Sequence, residues 1–77
     1  MNLADAAEQV LREASNEALH AKEIAKRAMK EGLISPHSET PWVYVAAAIR
    51  KDNRRRQRNG QPLRFELAGG GCFHLTR

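Results

Sequence analysis

The hydrophobic pattern of this 77-residue chain changes its period once, at the segment NGQP of residues 59–62. Upstream of this segment apolar residues recur at helical spacing, and downstream they alternate with polar residues as in a half-buried strand. Gly and Pro together interrupt either structure. A chain of this length forms one domain, here residues 1–77. The sequence therefore predicts a single, mainly α domain that ends in a small β-hairpin.

Three helices are predicted before the change of period, over residues 3–14, 21–31 and 40–56. The second helix follows His20, and Glu23 three positions later imitates a capping box at its start. Gly32 stands where a left-handed residue ends such a helix. Thr40 and Pro41 favour the start of the third helix, because threonine can cap a helix and proline suits its first position.

Two short strands are predicted after the change of period. Leu63, Phe65 and Leu67 alternate with polar residues in the first, and Phe73 and Leu75 do so in the second, so each strand has one face to bury. The glycine-rich residues 68–71 between them supply a hairpin loop. A hairpin alone is marginal in water, so it has to pack on the helices. Three helices followed by a two-stranded wing are the plan of a winged helix-turn-helix domain.

The third helix is the predicted recognition helix, since a helix-turn-helix domain lays it in the major groove of DNA. Its core-facing stripe comprises Trp42, Val45, Ala46, Ile49 and Asn53. The opposite side collects Tyr44, Ala47, Ala48, Lys51, Arg54, Arg55 and Arg58. Small residues such as Ala47 allow close approach to base edges, and the cations can neutralise phosphates. Trp42 is expected to pack in the core rather than stack on a base, whereas Tyr44 either reaches DNA or is simply exposed.

Positive charge is concentrated at the end of the chain. The formal net charge is +4, but residues 1–49 carry −2 and residues 50–77 carry +6. Such a distribution fits a domain with one side facing a polyanion, and it equally fits a solvated basic face. Because Lys51, Arg54 and Arg55 lie on the outward side of the predicted recognition helix, phosphate contact is the favoured interpretation.

Other kinds of site find little support in the sequence. The chain lacks the paired Cys or His motifs of a zinc site, and its triple glycine is not followed by a helix as in a phosphate-binding loop. We therefore expect no catalytic residues, no metal, no cofactor and no small-molecule substrate. A single cysteine, Cys72, and the lack of any long apolar run predict a soluble protein of a reducing compartment. We expect a cytoplasmic, nucleoid-associated protein without a membrane partner.

An ordered set of residues resembles a known family, the HARE-type helix-turn-helix domain of restriction-type nucleases and chromatin proteins. The set comprises Ala7, Val10-Leu11, Leu19-His20, Glu23-Ile24, Gly32-Leu33-Ile34, Thr40-Pro41-Trp42, Ala48-Ile49, Asp52, Arg64-Phe65, Gly71, Phe73 and Leu75. The resemblance implies a winged helix-turn-helix fold that brings DNA to an attached or associated nuclease or other effector. It also implies that residues 40–55 form the recognition helix and residues 69–71 the wing tip.

The residues predicted to bind DNA are Ser38, Thr40, Tyr44, Ala47, Ala48, Lys51, Arg54, Arg55, Arg58, Arg64, Gly70 and His74. Two departures from the family pattern affect this set. The family often has glycine and lysine before the third helix, where this chain has Ser38 and Glu39, and a glutamate would repel phosphate. The wing tip holds only glycine, so a wing contact would use backbone amides or the flanking Arg64, His74 and Arg77.

Two other functions are compatible with a chain of this kind. The family is also similar to the amino-terminal domain of the bacterial RNA polymerase delta subunit, a protein-interaction module, which would favour a neutral or acidic third helix. Residues 50–58 instead carry six cations against Asp52. Binding of single-stranded nucleic acid would require several exposed aromatic residues, and only Tyr44 qualifies. Double-stranded DNA is therefore the predicted partner.

Overall fold

The computed structural model describes residues 2–35 and 38–76, which form three helices and three short strands. In chain order these are α1 (Leu3–Glu13), β1 (Leu19–His20), α2 (Ala21–Lys30), α3 (Pro41–Arg58), β2 (Phe65–Gly69) and β3 (Cys72–Leu75). The predicted order of three helices followed by a two-stranded hairpin is confirmed, and the fold is that of a winged helix-turn-helix domain. The wing comprises β2, β3 and the turn between them.

The first helix begins and ends at residues with local polar contacts. Asn2 caps it, because its side-chain oxygen accepts a hydrogen bond of 2.8 Å from the amide of Asp5. The helix ends before Ser15 and Asn16, which both adopt positive φ angles. The Asn16 side chain then exchanges hydrogen bonds of 2.6 and 3.2 Å with the backbone of Leu75. The turn after α1 is thereby joined to the last strand.

The second helix is capped by His20, although not through a capping box. The Nδ1 atom of His20 accepts a hydrogen bond of 3.0 Å from the amide of Lys22. Glu23 does not return the contact, since its carboxylate instead binds Arg27 at 3.0 Å. Gly32 has a φ of 72°, and the expected left-handed residue at the end of the helix is confirmed there.

The third helix starts at Pro41, as predicted, and runs to Arg58, half a turn beyond the expected end. Thr40 occupies the N-cap position, but its side chain makes no capping hydrogen bond. The hydroxyl of Ser38 instead accepts a hydrogen bond of 2.8 Å from the Thr40 amide. The helix ends next to Gly60, whose φ is 68°. The longer helix brings Arg58 into its last turn.

The sheet contains a strand that the sequence did not predict. Its order is β1-β3-β2, entirely antiparallel, and Leu19 of β1 lies opposite Phe73 of β3. A strand of two residues is too short to show an alternating pattern, which explains why Leu19 stands out in the sequence only as a lone apolar residue. The Ala21 amide also donates a hydrogen bond of 3.1 Å to the Gly71 carbonyl, so the start of α2 is tied to the wing tip.

The wing differs from its predicted extent at both ends of the hairpin. Strand β2 begins at Phe65 rather than Leu63 and continues to Gly69, so the turn shrinks to Gly70 and Gly71. The expectation that one face of β2 is buried was wrong, because Leu67 is 59% exposed and Leu63 is also exposed. Phe65 is the one residue of this strand that is buried.

The core gathers side chains from all three helices and from the sheet. Its largest fully buried members are Phe65, Phe73, Leu11, Ile24, Ile49, Val10 and Val45. The predicted core stripe of α3 is confirmed at Val45 and Ile49, with Trp42 and Ala46 half-buried against it. Asp52 also lies on this side and is the one buried charged residue in the described part of the chain. The opposite face of α3 is left to solvent.

Candidate nucleic-acid interface

The exposed α3 face, as we call it, comprises Tyr44, Ala47, Lys51, Arg54, Arg55 and Arg58. All six were predicted to point outward, and all six are exposed. Ala48, assigned to the same side, is half-buried. Trp42 contacts the core, and the Nζ atom of Lys22 lies 4.9 Å from the centre of its ring. The structure therefore supports the core interpretation of Trp42 and leaves Tyr44 accessible.

The exposed α3 face differs along its length. Its first half presents Tyr44, which is 58% exposed, together with Ala47 and the neighbouring Val43. Val43 was not predicted to be part of this face, because a single valine beside a core stripe does not indicate an outward position. The second half is cationic, and Lys51 and Arg54 make no ion pair with any residue that the structure describes. An apolar section thus precedes a section of available positive charge.

Arg50 and the wing border this face on one side. The exposed Arg50 guanidinium lies 5.8 Å from the centre of the Phe73 ring and lines a small cleft with Leu67 and the glycines of the wing tip. Arg50 was absent from the predicted DNA-binding set because its angular position on the helix falls between the two sides. The positive charge of Arg50 lies beside the exposed α3 face and extends its cationic surface toward the wing. Gly70 is exposed at the tip of the wing.

Asp52 is the centre of an ion-pair network that we call the Asp52 cluster. Its Oδ1 atom accepts hydrogen bonds of 2.7 Å from both Arg55 and Arg64, and its Oδ2 atom accepts bonds of 3.1 Å from Arg56 and Arg64. Arg64 also binds the carboxylates of Asp5 and Glu8 on α1, at 2.9 and 3.1 Å. The cluster therefore joins α1, α3 and the segment that leads into the wing.

Arg64 is occupied by this network. Its side chain is 14% exposed, and its Nε, Nη1 and Nη2 atoms all bind carboxylates. It does not lie on the exposed α3 face with the other predicted DNA-binding cations. Arg64 was predicted to bind DNA because it flanks the wing. Its position in the sequence does not indicate that it binds the carboxylate of Asp52, twelve residues earlier. A structural role explains its contacts without DNA.

The pKa values of the cluster follow from its contacts. Burial acts to raise the pKa of Asp52, but hydrogen bonds and charge from Arg64, with the charges of Arg56 and Arg55, outweigh it and hold the pKa below its usual value. A hydrogen bond from Arg64 also lowers the pKa of Asp5. The hydrogen bond to Asp52 raises the pKa of the Arg64 guanidinium. Both carboxyl groups are therefore ionised whenever the domain is folded near neutral pH.

Acid is expected to destabilise the domain through these two carboxyl groups. Because the folded-state pKa values of Asp52 and Asp5 lie below the unfolded value of about 3.9, their contribution is complete above that pH. It is lost as the pH falls through the folded-state values. The nearby Glu13 carboxylate raises the pKa of Glu31, because the protonated Glu31 can donate a hydrogen bond to it, and this acts in the opposite direction but on a solvent-exposed group. The urea midpoint, measured at constant ionic strength, should fall steadily below about pH 4.

A flat urea midpoint from neutral pH down to about pH 2.5 would contradict this prediction. Arg64→Met supplies the control, since the hydrogen bonds of Arg64 lower both pKa values. Its midpoint should therefore depend less on pH than that of the parent.

Ser38 and Thr40 lie at the entrance to α3. The two hydroxyls are 3.2 Å apart, and Ser38 lines an apolar cleft of about 310 Å³ with Ile34, Pro41 and Tyr44. Thr40 is exposed at the N-terminus of the helix. Both residues are thus next to the apolar half of the exposed α3 face, although each hydroxyl already has a local contact.

His74 lies on β3 of the wing and makes its polar contacts within the wing. Its side chain is largely buried, its Nδ1 atom lies 2.8 Å from the Leu75 carbonyl oxygen, and its Nε2 atom lies 3.5 Å from Glu66. It does not join the cations of α3. The prediction for Arg77 lies outside the described residues. Among the described wing residues of the predicted DNA-binding set, Gly70 is exposed, whereas the side chains of Arg64 and His74 are largely buried.

Neither a metal site nor a membrane span is found in the described ranges. Over residues 2–35 and 38–76, no group of three or more His, Cys, Asp or Glu side chains is placed to hold a metal ion. Within the same ranges no helix is both long and apolar enough to cross a bilayer.

A known domain family matches this chain. The HARE-HTH family, a helix-turn-helix domain whose description names ASXL and restriction endonuclease, matches residues 1–71. No curated protein and no solved structure matches the chain. The family is one of DNA-binding helix-turn-helix domains rather than catalytic ones, so the match supports a nucleic-acid-binding role. Because the match spans nearly the whole chain and agrees with the fold, the chain belongs to the HARE-HTH family.

Proposed function

We propose that this domain binds double-stranded DNA with α3 in the major groove, and that it brings DNA to an attached or associated nuclease or other effector. The observation that carries the proposal is the exposed α3 face. Lys51 and Arg54 are exposed there without an ion-pair partner among residues 2–35 and 38–76, so their charges are available to phosphates.

The division of the exposed α3 face fits the two tasks of a recognition helix. The N-terminal residues of such a helix contact base edges, and flanking cations contact phosphates. Tyr44 and Ala47 lie in the first half, where an apolar surface suits the methyl group of thymine. Lys51, Arg54 and Arg58 follow toward the end of the helix, where they would set affinity rather than sequence preference.

The wing would lie along the DNA backbone beside α3. Arg50, near the wing tip, extends the positive surface in that direction, and Gly70 offers a backbone amide without a side chain in the way. Ser38 and Thr40 would approach the backbone from the other end of the helix. Arg64 and His74 are left out of the proposed contacts because both are engaged within the domain.

The effector part of the proposal has a separate basis. The family description names restriction endonuclease among the proteins that have this helix-turn-helix domain, which is the basis for proposing a nuclease as the effector. A small DNA-binding module can deliver DNA to a neighbouring active site without chemistry of its own. The protein-interaction function considered above would instead leave the charge of the exposed α3 face without a role.

The test is a salt titration of duplex binding, followed by fluorescence anisotropy of a labelled duplex. If Arg50, Lys51, Arg54, Arg55 and Arg58 contact phosphates, the slope of log K against log salt should be about −4.5. Affinity should then fall roughly 10²- to 10³-fold between about 50 and about 200 mM salt. A labelled single strand of the same sequence is the control and should bind more weakly. No duplex binding at low salt would overturn the proposal in favour of a protein partner.

A further inference from the structure

We propose that Asp52 is a positioning residue for DNA binding, whose buried carboxylate holds the Arg55 guanidinium on the exposed α3 face in an orientation ready for phosphate. This inference rests on the proposed function. It assigns a role in binding to an anionic residue that is not itself a phosphate ligand and whose side chain is only 3% exposed.

The geometry of the pair leaves most of Arg55 free. Its Nη2 atom lies 2.7 Å from Oδ1 of Asp52, while its side chain remains 55% exposed. A guanidinium has five N–H donors in a rigid fork, so one edge can bind the carboxylate while another faces a phosphate. The buried Asp52 carboxylate thereby fixes the orientation of the Arg55 guanidinium.

The charge of Arg55 is not needed to neutralise Asp52. Arg64 binds both oxygens of that carboxylate, and Arg56 binds one of them. Across the whole network, the carboxylates of Asp5, Glu8 and Asp52 meet the guanidinium groups of Arg12, Arg55, Arg56 and Arg64. One positive charge is therefore in excess, and Arg55 is the member of the network that lies on the exposed α3 face.

Arg55 also shares its surroundings with a second cation. Lys51, one turn earlier on α3, lines the same cleft of about 310 Å³ as Arg55, Asp52 and Ala48. A phosphate at this cleft would meet one anchored and one flexible cation. Holding a long side chain in place before binding removes part of the entropy cost of ordering it, which corresponds to roughly 2- to 10-fold in affinity.

Charge-conserving variants test the inference. Arg55→Lys keeps the charge but loses the fork, because a single ammonium cannot bind Asp52 and present a planar edge to phosphate at once. We expect its duplex affinity to fall roughly 3- to 10-fold with an unchanged salt slope and only a small fall in melting temperature, because Arg56 and Arg64 still bind Asp52. Arg54→Lys, which lacks a carboxylate partner in the described residues, should lose less. Arg27→Lys, paired with Glu23 on α2, should leave affinity unchanged.

Asp52→Asn provides a test of opposite sign. The substitution raises the net charge by one. If Asp52 only competed with phosphate for Arg55, the variant would bind duplex DNA more tightly than the parent. We expect weaker binding by the folded variant, because the fork is no longer held. If this variant does not fold, the comparison of Arg55→Lys with Arg54→Lys decides.

Two results would overturn the inference, namely an equal loss for Arg55→Lys and Arg54→Lys, or tighter binding by folded Asp52→Asn. Either can occur while the parent still binds duplex, which separates this inference from the proposed function. If the parent binds no duplex at low salt, both fall together.

Discussion

The double variant Lys51→Glu/Arg54→Glu is expected to lose roughly 100-fold or more of the duplex affinity of the parent at low salt. Two phosphate contacts disappear and two repulsive charges replace them. The slope of log K against log salt should also shrink in magnitude by about 2, one for each lost contact. Neither side chain has an ion-pair partner in the described residues, so the variant should fold as the parent does.

The matched control is Lys26→Glu/Lys30→Glu. These lysines are exposed on α2, and they too lack ion pairs within the described chain. Each double variant takes the formal net charge from +4 to zero, so any effect of net charge alone is the same in both. If both variants lose affinity equally, binding depends on overall charge and α3 is not the contact surface. Circular dichroism and a thermal melt establish that each variant is folded.

Arg64→Met is expected to lower the free energy of unfolding by about 2–4 kcal/mol, a large fraction for so small a domain. The substitution leaves Asp52 buried with only two of its three arginine partners, and it also releases Asp5 and Glu8. Urea denaturation at neutral pH measures the change. The loss should be smaller than for an unpaired buried charge, because Arg55 and Arg56 still bind Asp52.

Arg12→Met is the control for this experiment. Arg12 also binds a carboxylate, that of Glu8 at 3.1 Å, but its side chain is largely exposed, so the loss should be below about 1 kcal/mol. A comparable effect of the two substitutions would mean that burial of Asp52 adds nothing. Folded Arg64→Met should keep the salt slope of the parent, because Arg64 is not among the proposed phosphate contacts. A reduced slope would restore Arg64 to that set.

The sequence predicted the helices well because each has a clear end. Gly32 and residues 59–62 stop α2 and α3 with glycine, and Pro41 fixes the start of α3. The exposed α3 face followed from the same periodicity, because the buried residues Val45 and Ile49 determine which face of the helix packs on the core and which faces solvent. These features depend on neighbours within a few positions, which a sequence displays directly.

The remaining features depend on contacts between distant residues. β1 forms by pairing of Leu19 with Phe73, and Asp52 is bound by Arg64, which lies beyond the end of α3 in the segment that leads into β2. A pattern of charges cannot tell Arg64, held by three carboxylates, from Arg54, held by none of the described ones. For this reason the sequence placed Arg64 among the predicted DNA-binding residues and did not indicate that Asp52 is its partner.

The close approach of His20, at the start of α2, to the wing tip restricts which residues the turn of the wing can accept. A side chain at position 71 would put its Cβ atom 2.8 Å from Nε2 of His20, and the φ of 80° disfavours any residue but glycine. At Gly70 a Cβ atom would meet nothing within 4 Å, although the φ of 60° still favours glycine or asparagine. A wing tip in this lineage could therefore acquire a basic side chain more readily at position 70 than at position 71.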